Sequence, residues 1–105
     1  MARTSHLPHV LASALVNAVL TSPRAGESDF LGTGFRDTTR LASGEAGMWR
    51  DIALDNAEAI AAAVEDLQNE LSQLRSALNA KDVAALEKFF AQAQSHRADW
   101  LKEAS

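Results

Sequence analysis

From Ile60 onward, large apolar residues recur at a fixed seven-residue interval. Ile60, Val64, Leu67, Leu71, Leu74 and Leu78 are separated by alternating steps of four and three. That is the seam of a coiled coil or of a tightly paired helix, and a strand has no such period. Glu65, Asp66, Glu70 and Arg75 flank the seam and give the helix a polar exterior. A helix over 56–79 is about 36 Å long at a rise of ~1.5 Å per residue. A compact chain of this size is only roughly 26 Å across in gyration terms. A narrow seam that outruns its own globule needs a long partner. The final helix of the chain supplies part of it, and a second copy is expected to supply the rest.

The rest of the chain also reads as helix. Ser5 is placed to cap a first helix, and Pro8 is tolerated in its first turn, where an N–H has no acceptor anyway. Leu7, Val10, Leu11, Ala14, Leu15 and Ala18 carry its buried face. Ser22, Pro23 and Gly26 stop it. Residues 23–34 read as a loop in which Phe30 and Leu31 turn inward. A short helix follows over 34–43, broken by Ser43, Gly44 and Gly47, and helical spacing resumes over 48–54. Asp55 or Asn56 marks a bend before the long helix. Asn79 and Ala80 end that helix, and Asp82 caps a last one that presents Val83, Leu86, Phe89, Phe90, Ala93 and Trp100. No segment alternates with period two, so the fold class is all-α.

Composition explains why a second copy or a missing partner domain is expected to complete the core. The chain has 105 residues, one domain's worth, and about a fifth of them are Ala. Alanine favours helix but buries little area, and only 6% of residues are aromatic. The net charge of −4 argues against a nucleic-acid footprint. There is no cysteine, which removes disulfides and thiolate chemistry. The apolar run over 10–20 is too short to span a bilayer. No membrane association is expected, and the simplest compartment is the cytoplasm.

Two polar clusters do not fit a plain bundle. His6 and His9 stand three apart and share a helix face. A third metal ligand at helical spacing is missing, so the pair reads either as ordinary solvated and locally bonded imidazoles or as functional groups near an anion. In the second cluster, Gly32-Thr33-Gly34 precedes Arg36, Asp37 and Arg40. The Lys-Ser/Thr ending of a P-loop is absent. Arg36 and Arg40 lie four apart, and a guanidinium offers two parallel donors to a carboxylate. Pairing with Asp37 or another acid is the alternative. Trp49 reads by pattern as core or interface, and Arg50 and Asp51 as surface charges.

Taken in order, the clusters resemble the C-terminal helical domain of the prephenate and arogenate dehydrogenases. The matching pieces are Ser5-His6-Leu7-Pro8-His9, Ala14-Leu15-Val16-Asn17, Gly34-Phe35-Arg36-Asp37-Thr38-Thr39-Arg40-Leu41-Ala42, Met48-Trp49-Arg50-Asp51-Ile52 and Asn56. They cover the first half of the chain. The second half matches as two helices of the right length. The resemblance implies an intertwined homodimer of long antiparallel helices, with residues 1–105 forming one dimerisation and substrate-side domain. It implies oxidation and decarboxylation of prephenate or arogenate with NAD or NADP, on the way to tyrosine.

By the same resemblance, Arg40 holds the ring carboxylate of the substrate and His9 lines the pocket near the reacting ring. Asp37 and Trp49 fall on positions with ionic and gating roles at the site entrance. The family's dinucleotide fingerprint and its proton-accepting histidine have no counterpart in these residues. The resemblance therefore implies a missing N-terminal Rossmann domain, a chain cut near its first helix, no cofactor bound by this chain and no activity alone. A helical dimer serving only as an interaction module is the alternative.

Overall fold

A computed structural model of the chain describes residues 1–21 and 32–104. All its elements are helical, and the described residues contain no strand. A π-helical turn, Ala2–His6, runs directly into α1, Leu7–Leu20. Then come α2, Gly32–Thr39, a 3-10 turn, Arg40–Ser43, and α3, Ala46–Asp55. The two long helices are α4, Ala57–Ala80, and α5, Val83–Ala104. No described helix is long and apolar enough to cross a membrane.

The chain divides into two compact units, Met1–Glu65 and Asp66–Ser105. In the first, α1 packs on α2 and on the 3-10 turn. Its buried residues are small or branched: Ala2, Ala12, Ile60 and Ala63, joined by one polar residue, His9. In the second unit the α4–α5 turn brings Leu74 and Ala77 of α4 and Ala85 and Phe89 of α5 to one groove. Phe89 and Phe90 meet edge to face at 5.2 Å.

The local chemistry at helix ends corrects two expectations. Ser5 is not a cap. The backbone N–H groups of Ser5 and His6 both donate to the Met1 carbonyl at 2.9 Å, so the chain is already helical there. Gly47 does not break a helix either. The Glu45 carboxylate accepts from the N–H of Gly47 at 2.9 Å and of Met48 at 2.7 Å, which starts α3 ahead of the glycine. Those two bonds hold the Glu45 carboxyl below its usual pKa.

Other expectations hold. Asn56 closes α3 at φ −127° and ψ 36°, the bend expected before the long helix. Asp82 Oδ1 accepts from Ala85 N at 3.0 Å and caps α5. The seam of α4 is covered at its start, where Ile60 is buried, but Leu71 and Leu78 are half exposed. The expected inward turn of Phe30 and Leu31, and the stop at Ser22, Pro23 and Gly26, lie outside the described residues.

Candidate functional site

The first unit holds a cavity of about 420 Å³. His6 at the end of the π-helical turn and His9, Ser13 and Asn17 of α1 supply one wall, and Gly44 and Trp49 supply the other. The lining is mainly apolar, with a few polar groups among the alanines, as in small-molecule pockets generally.

His9 and Trp49, one from each side, are in direct contact. Their rings stack with centroids 3.6 Å apart and planes 13° from parallel. His9 is only 7% exposed. Burial disfavours the charged imidazolium and lowers the His9 pKa below its ordinary 6.5, so the ring is neutral at physiological pH. A neutral imidazole offers one donor and one acceptor. His6, one helical turn earlier, meets the same indole edge-on at 6.1 Å and 86°. Its Nδ1 is buried without a hydrogen-bond partner.

The backbone makes room for the stack at Gly44. A Cβ on Gly44 would lie 2.7 Å from Trp49 Nε1 and 2.8 Å from His9 Cε1. Its φ of −61° and ψ of 155° suit any residue, so the requirement is for space and not for conformation. Ser43-Gly44 reads in sequence as a helix breaker, and nothing local marks it as the floor under two aromatic rings. Ser13 and Asn17 also line the cavity, and their place on the His9 face follows from helical spacing.

The sequence-named residues are thus divided. His9 and Trp49 come together in the cavity wall. Arg40 opens the 3-10 turn whose far end, Ala42 to Gly44, borders the cavity, but Arg40 itself is exposed and is not part of the lining. Asp37 is exposed on α2, and neither it nor Arg36 nor Arg40 forms an ion pair with another described residue. Arg50 and Asp51 pair with each other at 2.9 Å on the surface, both 68% exposed, a contact worth little. Among the described residues no group of three or more acidic or imidazole side chains is placed to hold a metal ion.

Comparison with known proteins gives a consistent result. Residues 1–92 match the family described as "Prephenate dehydrogenase, dimerization domain". The chain is 34% identical over 100 residues to a cyclohexadienyl dehydrogenase of Zymomonas mobilis, covering 92% of this chain and 34% of that protein. It is 34% identical over 95 residues to a prephenate dehydrogenase of Bacillus subtilis, covering 89% and 26%. Its structure is similar to prephenate dehydrogenase from A. aeolicus in complex with hydroxyphenyl propionate and NAD+, with a TM-score of 0.81 and 31% identity over 93% of this chain and 35% of that one. Synechocystis arogenate dehydrogenase has the same fold, with a TM-score of 0.85 at 24% identity. The chain spans between 26% and 37% of the length of these relatives.

Proposed function

The chain belongs to the prephenate dehydrogenase dimerization-domain family, and on that premise we propose that it is the substrate-side half of a prephenate or arogenate dehydrogenase. The observation that carries this reading is the His9–Trp49 stack on the wall of a 420 Å³ cavity. It is built from the same ordered motifs that mark the family. The cavity is of a size to take a six-membered ring with short substituents.

The reaction is the oxidative decarboxylation of a cyclohexadienyl acid. Hydride leaves the ring carbon that bears the hydroxyl, the ring carboxylate departs as carbon dioxide, and its bonding electrons complete the aromatic ring. The described residues form no strand–turn–helix unit of the kind that cradles a dinucleotide. The nicotinamide that accepts the hydride is therefore held by chain outside these residues, and this domain is inactive alone.

The work of this domain is binding and orientation. Arg40 grips the ring carboxylate with two parallel N–H donors. His9, neutral and fixed against Trp49, faces the reacting ring. Asp37, near Arg40 in the same segment, and Trp49 shape the entrance. The tyrosine-forming enzyme acts as a homodimer in the cytoplasm. Exposed Val83, Phe90 and Leu101 on α5 support that assembly.

Arg40→Ala in the full-length enzyme tests the reading. Loss of a charge-assisted pair raises KM for prephenate by roughly 10–100-fold, with kcat changed less. Unchanged KM removes the assigned role of Arg40. Parallel assays with arogenate separate the two substrates.

A further inference from the structure

The start of α3 ties the ring stack to a single surface residue. Glu45 is exposed and stands directly between Gly44 and α3. Gly44 lies under the stack, where its missing Cβ leaves room for Trp49 and His9. Trp49 sits in the first turn of α3. Both flanks of Glu45 therefore lead to the same two rings.

Three hydrogen bonds fix that first turn to Glu45. Its carboxylate accepts from the N–H of Gly47 at 2.9 Å and of Met48 at 2.7 Å. Its backbone carbonyl accepts from the N–H of Trp49 at 3.1 Å. The first N–H groups of a helix have no partner within it, so an uncapped first turn frays. Glutamate is longer than the usual capping residues, and Gly47 accommodates it. A Cβ at Gly47 would lie 3.0 Å from Glu45 Oε1 and 3.4 Å from Oε2. Glycine weakens a helix interior, and the carboxylate lying over Gly47 accounts for its place in α3.

The consequence reaches His9, whose ring stacks on the Trp49 indole at 3.6 Å. A first turn that opens carries the indole away, and His9 loses the surface that fixes its ring. We propose that Glu45 is a positioning residue of this site, which by capping α3 holds Trp49 against His9 and so fixes the His9 ring for the substrate. For the substrate this rests on the reading above, and for the ring contact on the geometry alone.

Glu45→Ala and Glu45→Ser in the full-length enzyme test it. Serine is uncharged but keeps a capping oxygen. With 13C-labelled histidine, the His9 ring protons of the wild type resonate upfield, because they lie over the indole face. In Glu45→Ala they move toward the position of a solvated histidine. Only molecules with a closed first turn bind normally, so KM for the cyclohexadienyl substrate rises about 5-fold. KM for the nicotinamide cofactor does not change. Glu45→Ser restores both the resonances and the substrate KM. A cap that served stability alone would lower the amount of active enzyme and leave both KM values as they are. Urea midpoints confirm that each variant is folded under assay conditions.

Upfield His9 resonances retained in Glu45→Ala, or a Ser variant that behaves like Ala, overturn the assignment. So does an unchanged substrate KM in Glu45→Ala. If the wild type oxidises neither prephenate nor arogenate, the functional reading falls, and the His9 resonances still decide whether Glu45 holds the stack.

Discussion

The two units of the chain differ in whether any described residue is buried. In Met1–Glu65, Trp49 is half-buried against His9, which is 7% exposed, Ile60 lines the same cavity, and Ala63 is buried. In Asp66–Ser105 no described residue is buried. There Phe90 is 62% exposed and Trp100 60% exposed, on a helix with no core of its own. The first unit turns Trp49 inward to line a cavity. The second displays apolar surface of the kind that marks an association site. Val83, Phe90 and Leu101 lie seven and eleven residues apart. Both intervals bring a helix back to nearly the same angle, so these three form one stripe along α5.

The strongest way to break this contrast is to make that stripe polar. Phe90→Ser with Leu101→Ser is expected to weaken self-association at least about 100-fold, because buried interface anchors each contribute on the order of 2 kcal/mol. Sedimentation velocity across a dilution series reads the effect. The His9–Trp49 stack lies in the other unit, so its near-ultraviolet circular dichroism should not change. A dimer that persists would mean that the stripe is not the interface.

The next largest effect lies at Gly44. Gly44→Ala places a methyl within 3 Å of both rings, which must part or shift. Overpacking of this kind costs about 1–3 kcal/mol. A lower urea midpoint with loss of the stacked-ring signal is the expected result. An unchanged signal would show that the rings have room that the geometry denies.

This site also shows where sequence reasoning stops. The long helix was legible because its seam repeats every seven residues, and the α5 cap because Asp82 stands where a cap must. His9 and Trp49 were legible as members of ordered motifs. Their contact was not, because stacking is set by how α1 meets the segment around Gly44. Likewise Ser5 has a capping side chain, but the backbone before it already reaches Met1 O. Gly47 has a breaker's composition, but Glu45 supplies the competing bond. The ring contact is set by a distant segment, whereas at Ser5 and Gly47 a competing bond from a near neighbour overrode the residue's own preference.

A smaller effect concerns acidity. Burial lowers the His9 pKa, so between its folded value and 6.5 the unfolded chain binds more protons than the folded one. The stability linked to His9 is complete above 6.5 and declines as pH falls through that window. Glu45 adds a second loss below the ordinary carboxylate pKa of 4.5, since its carboxyl is also held low. Urea midpoints should therefore fall in two stages on acidification. His9→Gln should remove the upper stage and leave the lower. If both stages remain in His9→Gln, the upper one comes from another group.

The smallest expected effect tests the second unit at its one strained point. Lys81 has φ 52°, the only positive value at a non-glycine residue among those described. Its N–H donates to Leu78 O at 3.1 Å, and Asp82 N–H donates to Ala77 O at 3.0 Å. This crossed pair closes α4 in the way that usually employs glycine, because a side chain in that left-handed region meets the following carbonyl. Lys81→Gly relieves the contact but adds freedom to the unfolded chain, so the net gain is at most about 1 kcal/mol. In a unit without buried side chains, such a turn contributes to holding α4 and α5 together before any partner arrives. The gain should therefore appear in the Phe90→Ser, Leu101→Ser background, measured by thermal unfolding at low concentration. A gain seen only in the associated wild type would mean that the turn is set by assembly and not by its own hydrogen bonds.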